Sequence, residues 1–151
     1  MLNINIFVLS FTLACTSQNL IDDSGKTTEI ITPLSTQEEF VLSIGEEYRF
    51  LIEGNFDATE QENQVDVIFG SYSASSTIEV YLFENNNEEA IWGKELTGET
   101  AGVYSSTQNC ISGCNIGFIG KALHTQGTEE VTLKVEVRSK LEKGQIQITP
   151  L

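Results

Sequence analysis

The chain has 151 residues, 22 of them acidic and 8 basic, and carries a formal charge of −14. Such a surface repels phosphate backbones, which Lys and Arg must neutralise, and does not adsorb to anionic lipid through its body; nucleic acid is excluded as a partner. With one histidine, His124, and three cysteines, there are too few soft ligands for a zinc framework, and no cofactor is implied.

Residues 1–14 carry no charged side chain, and the stretch Ile4–Ala14 has an apolar core with polar interruptions that closes on the small residue Ala14. This is the layout of a secretory signal peptide, and about ten apolar residues fall short of the roughly twenty that span a bilayer. Cys15, followed by Thr16 and Ser17, resembles the processing site of bacterial lipoproteins. The resemblance departs at Thr12, where an aliphatic residue is usual, and at Met1-Leu2-Asn3, which lacks a basic side chain. It implies that Cys15 is lipidated, becomes the mature N-terminus and makes the membrane a partner through the lipid. With Thr16 rather than Asp beside it, it further implies the outer membrane. The alternative is a plain cleaved signal and a secreted or periplasmic product, which leaves an odd cysteine where lipidation leaves an even pair. Residues 15–28 are polar and read as a flexible tether.

From residue 29 to 151 the hydrophobic pattern has period two, the mark of strands with one buried and one wet face. Val131–Arg138 is the clearest case. Similar runs are Glu39–Ile44, Tyr48–Ile52, Val65–Phe69, Ile78–Phe83 and Gln145–Ile148, with shorter ones at Glu29–Ile31, Ala90–Trp92 and Ile116–Ile119. Turn clusters separate them at Gly45–Glu47, Asn85–Asn87, Gly98–Gly102 and Lys143–Gly144. No segment offers a capped helix with an apolar stripe. Eight or nine short strands predict an all-β antiparallel sandwich, jelly-roll or Ig-like, in one domain; a closed barrel is the alternative.

The run Leu42–Phe50, with a Gly turn between two strands, then Val80–Glu84, then a closing hairpin of Val131–Val137 with Gly144–Ile148, resembles secreted β-sandwich domains of the pre-peptidase C-terminal type. What that resemblance implies is an accessory, binding or spacer domain without catalysis.

Cys110 and Cys114, in an exported chain, predict a disulfide that pins a turn, with Gly113 supplying backbone freedom. A Cys114/His124 nucleophilic pair is the alternative use of that thiol. Three further constellations suggest chemistry. The acidic loop Gly54–Gln64 with Asp66 offers Asp57, Glu60, Glu62 and Asp66 as oxygen ligands for calcium, against the plain reading of a solvated loop; Glu84–Glu89 is similarly oxygen-rich but is explained by its asparagines as a hairpin turn. Tyr72, Trp92 and Tyr104 lie in or beside loop-like sequence and are candidate rings for stacking on a glycan or peptide, Tyr72 foremost, with Trp92 in its short apolar run read first as core. Paired carboxylates, Glu60 or Glu62 with Glu79, would suit a glycosidase-like enzyme. The expectation favoured is a non-catalytic, lipid-anchored sandwich for binding, adhesion or envelope assembly, with an envelope protein or glycan as ligand. A carboxylate glycosidase or calcium-dependent carbohydrate-binding module is the alternative.

Overall fold

The computed structural model describes residues 20–21, 27–28, 34–57, 61–84 and 87–151. The chain divides into two units, Met1–Ile31 and Thr32–Leu151. In the first, β1 (Leu20–Ile21) pairs antiparallel with β2 (Thr27–Thr28), so a short ladder occupies part of the segment expected to be a tether. The signal, Cys15 and the candidate strand Glu29–Ile31 lie outside the described residues.

The second unit contains nine strands: β3 (Ser35–Ser43), β4 (Glu47–Phe56), β5 (Gln61–Ser71), β6 (Thr77–Glu84), β7 (Ala90–Thr97), β8 (Ala101–Cys110), β9 (Cys114–Gln126), β10 (Glu130–Ser139) and β11 (Gly144–Pro150). They form two antiparallel sheets, β3-β10-β5-β8 and β11-β4-β9-β6-β7, and the chain is an all-β sandwich. Pairing is nested: β3 with β10, β4 with β9, β5 with β8, β6 with β7. That is a long antiparallel ribbon rolled on itself, the jelly-roll winding, and β11 extends one sheet beyond β4.

Period-two patterning carries through to burial. In β10, Val131, Leu133, Val135 and Val137 are buried while Thr132, Lys134 and Glu136 are not. One expectation fails because pairing is not local. The closing hairpin does not exist: β10 lies in the four-stranded sheet and β11 pairs with β4 in the other. Of the consecutive sandwich strands, only β6 and β7 are hydrogen-bonded neighbours. In addition, β8 was not legible as a strand, since its inward positions include Gly102, Ser106 and Gln108, which break the apolar rhythm.

The core is held by rings that alternate between the sheets. Tyr48 packs on Phe40 (4.8 Å between centroids), Phe40 on Phe50 (5.2 Å), Phe50 on Phe69 (6.3 Å) and Phe69 on Trp92 (5.3 Å). Side chains from two inner faces interdigitate in this way across a sandwich. Room for the rings comes from glycine. Phe50 stands directly opposite Gly120 in the β4–β9 ladder, and a Cβ on Gly120 would overlap the Cε2 and Cζ atoms of the Phe50 ring.

The disulfide between Cys110 and Cys114, with Cα atoms 5.1 Å apart, ties the end of β8 in one sheet to the start of β9 in the other. Gly113, at φ 90°, supplies the left-handed residue of the turn. Closing so short a loop restricts the unfolded chain by about 2 kcal/mol. Accordingly, Cys110→Ser/Cys114→Ser should lower urea-unfolding stability by about that amount, and alkylation of the native, non-reduced protein should find neither thiol. Alkylation of both in freshly isolated protein would contradict the pairing.

Candidate functional site

The residues nominated from sequence do not assemble. Asp57 is exposed just past β4, while Glu62 and Asp66 point outward from β5, four residues and about 13 Å apart along one strand; Glu60 lies outside the described residues. Much of the expected acidic loop is therefore strand: β4 runs to Phe56 and β5 begins at Gln61. Asp66 accepts hydrogen bonds from Ser105 Oγ (2.7 Å) and Gln64 Nε2 (3.1 Å), and these hold its carboxyl below the usual carboxylate range. Among the described residues, no group of three or more His, Cys, Asp or Glu side chains is arranged to hold a metal ion.

The pairing of Glu62 with Glu79 is also overturned. Glu62 lies on the outer face of the four-stranded sheet and Glu79 on that of the five-stranded sheet, so the whole sandwich separates them. A Cys114/His124 pair fails because both residues lie on β9, ten positions or about 33 Å apart. His124 is instead buried, with Nε2 donating to the Gln126 carbonyl at 3.0 Å.

The three nominated rings part company as well. Tyr72 is 56% exposed just beyond β5. Trp92 turns inward onto Phe69 and covers Gly102 where the edges of β7 and β8 meet, a gap that Lys94 Nζ also bridges by donating to the Ala101 carbonyl (3.0 Å). Tyr104 packs edge-on against Phe118, with centroids 5.6 Å apart. Trp92 and Tyr104 are thus core or seam residues, packed against the core, whereas Tyr72 is not.

A different surface is furnished with binding groups: the outer face of the five-stranded sheet. Its odd-numbered positions on β4, β9 and β11 bring side chains into register from three strands. Gln145 stands beside Asn55, which stands beside Asn115; one row on, Gln147 neighbours Glu53, which faces Gly117. Asn55, Asn115, Gln145 and Gln147 are all exposed, and their carboxamides have no hydrogen-bond partner among the described residues. They line a depression of about 350 Å³, and Asn55 and Gln145 also line a second, of about 340 Å³, reaching Asp57.

Towards the other end of the same face the next row is apolar, Leu51 beside Ile119 beside Phe83, each half-buried. Beyond it Arg49, Lys121 and Tyr81 stand abreast. Phe83, Ile119, Lys121 and Arg49 help to line a third depression of about 360 Å³. The Tyr81 ring lies across Gly93, where a Cβ would come within 2.7 Å of Cδ1, and its hydroxyl donates to Glu79 at 2.9 Å. That bond, with the Glu79 charge, raises the phenol above its ordinary pKa. Glu47 accepts from both Lys121 Nζ and Arg49 Nε at 2.9 Å, and these two hydrogen bonds hold its carboxyl below the usual range. The face therefore presents carboxamides at one end, a ring held in place at the other and an apolar floor between them. The sequence signal for it lies in the wet positions of the strands, where Asn and Gln are indistinguishable from ordinary solvent-facing residues until their strands become neighbours.

No family model matches the chain, and no curated protein matches it.

Proposed function

We propose that this chain is an exported, lipid-anchored, non-catalytic module that captures a ligand at the cell envelope on the outer face of its five-stranded sheet. The observation that carries the reading is the exposed carboxamide set of Asn55, Asn115, Gln145 and Gln147, continuous with Leu51, Ile119, Phe83 and Tyr81 on one surface. Binding pockets combine a few convergent polar groups with apolar and aromatic walls in this manner. The preference for capture over glycoside cleavage is supported by the placement of Glu62 and Glu79 on opposite sides of the sandwich.

Anchoring rests on the signal-like residues 1–14 and Cys15, and the location proposed is the outer membrane. Cys15→Ser is expected to abolish fatty-acid labelling and to move the protein from the membrane pellet to the soluble fraction. Continued labelling and sedimentation of the variant would overturn the anchoring.

A further inference from the structure

We infer that the ligand of this face is a neutral polysaccharide, lying diagonally from the carboxamide cluster to the rings of Phe83 and Tyr81; the inference rests on the reading of the domain as an envelope binding module. A carboxamide carries donors and an acceptor on one rigid plane. It can therefore give and take hydrogen bonds with adjacent hydroxyls, each of which is itself a donor and an acceptor. A cluster of carboxamides from three strands is suited to a surface of many hydroxyls and supplies no charge to pair with an ion.

The rings complete the match. One face of a sugar ring is lined with C–H groups and stacks on an aromatic plane, burying apolar area. Tyr81 is held for this by Gly93 beneath it and Glu79 at its hydroxyl, so little side-chain freedom remains to be lost on binding.

Charge selects among glycans. Glu47, Glu53, Glu79 and Glu95 share the face with Arg49 and Lys121, both already engaged by Glu47, and with Lys94 at its edge, whose Nζ donates to the Ala101 carbonyl; the chain as a whole is at −14. A polyanion is repelled by such a field, whereas a neutral chain is indifferent to it. A peptide is the poorer fit, because extended peptides add to sheet edges or seat alternate side chains in pockets, and this surface is the middle of a sheet.

Geometry sets the length. Asn55 and Arg49 are six residues apart on β4, and Tyr81 lies abreast of Arg49 two strands away on β6. The diagonal from Asn55 to Tyr81 is then about 22 Å. A single sugar reaches only one end of it, so affinity should rise steeply with chain length.

The test is affinity electrophoresis of the purified full chain through gels containing a β-glucan, a dextran, a mannan, a galactan or a polygalacturonate. Retardation is expected in at least one neutral gel, undiminished by salt because no ion pair is screened, and reversed by an oligosaccharide of that polymer far better than by its monosaccharide. Asn115→Ala/Gln147→Ala and, separately, Tyr81→Ala should each weaken retention about tenfold. Lys134→Ala, on the opposite sheet, should leave it unchanged. Thermal unfolding of each variant separates lost binding from lost fold. No retardation in any neutral gel overturns the inference. Retardation by polygalacturonate alone, lost in salt, overturns the neutral assignment while leaving a binding module in place. Membrane release of Cys15→Ser reports on anchoring independently of either result.

Discussion

Gly120→Ala is expected to lower folding stability by about 3 kcal/mol, the upper end of the ordinary overpacking cost. The added methyl would occupy space now held by the Phe50 ring. That ring has nowhere to go, since it is fully buried between Phe40 and Phe69 in the alternating aromatic series. For a domain of this size the loss corresponds to a melting temperature lower by about 12 °C. Phe50→Leu alone should also destabilise, by removing a buried ring, but the double variant Gly120→Ala/Phe50→Leu should be less destabilised than the sum of the two. A coupling of at least about 1 kcal/mol is expected for residues in direct contact. Strict additivity in a thermal or urea double-mutant cycle would mean that Gly120 is not there to make room for Phe50.

Ser139→Ala should cost a comparable amount for the opposite reason, loss of polar pairing rather than excess volume. Ser139 Oγ donates to Asn63 Oδ1 (2.8 Å) and accepts from the Leu141 amide (3.1 Å), at the end of the core where β10 turns towards β11. Asn63 is completely buried, and its Nδ2 already has no partner among the described residues. Without the serine hydroxyl, a buried carbonyl oxygen and a backbone amide both lose the one partner each has among the described residues. Each costs about 1–3 kcal/mol when left unpaired, so a total of about 3 kcal/mol is expected. Asn63→Leu/Ser139→Ala should recover part of this loss, because an apolar pair leaves less to satisfy. Urea denaturation of the two variants decides the matter, and a double variant less stable than Ser139→Ala would sink the account.

The two predictions draw on different levels of organisation. The need to bury alternate side chains was visible along each strand, but the opposition of Phe50 to Gly120 and of Asn63 to Ser139 depends on which strands become neighbours. The same holds for the candidate site. Asn55, Asn115 and the Gln145/Gln147 pair are far apart in the chain and become one surface only when β4 lies between β9 and β11. The nominated residues fared differently because sequence proximity was the only available guide to spatial proximity. Glu62 and Asp66 are close along the chain yet about 13 Å apart on an extended strand. Trp92 and Tyr104 looked loop-borne because the seam between β7 and β8 is built from short, glycine-interrupted runs.

Taken alone, the amino-acid order determined the all-β class, the faces of most strands, the glycine turns at Gly45 and Gly144 and the Cys110–Cys114 link. Each depends on interactions within a few residues: alternation with period two, left-handed backbone at glycine, and two thiols four positions apart. Tertiary structure alone decided that the sandwich is a jelly roll, that β10 and β11 part to different sheets, and that carboxamides and rings share the outer face of the five-stranded sheet. The physical reason is that period two specifies an inside and an outside for every strand but leaves its partner open. Any two such strands can pair, and the choice is made only when all the buried faces must close over one core.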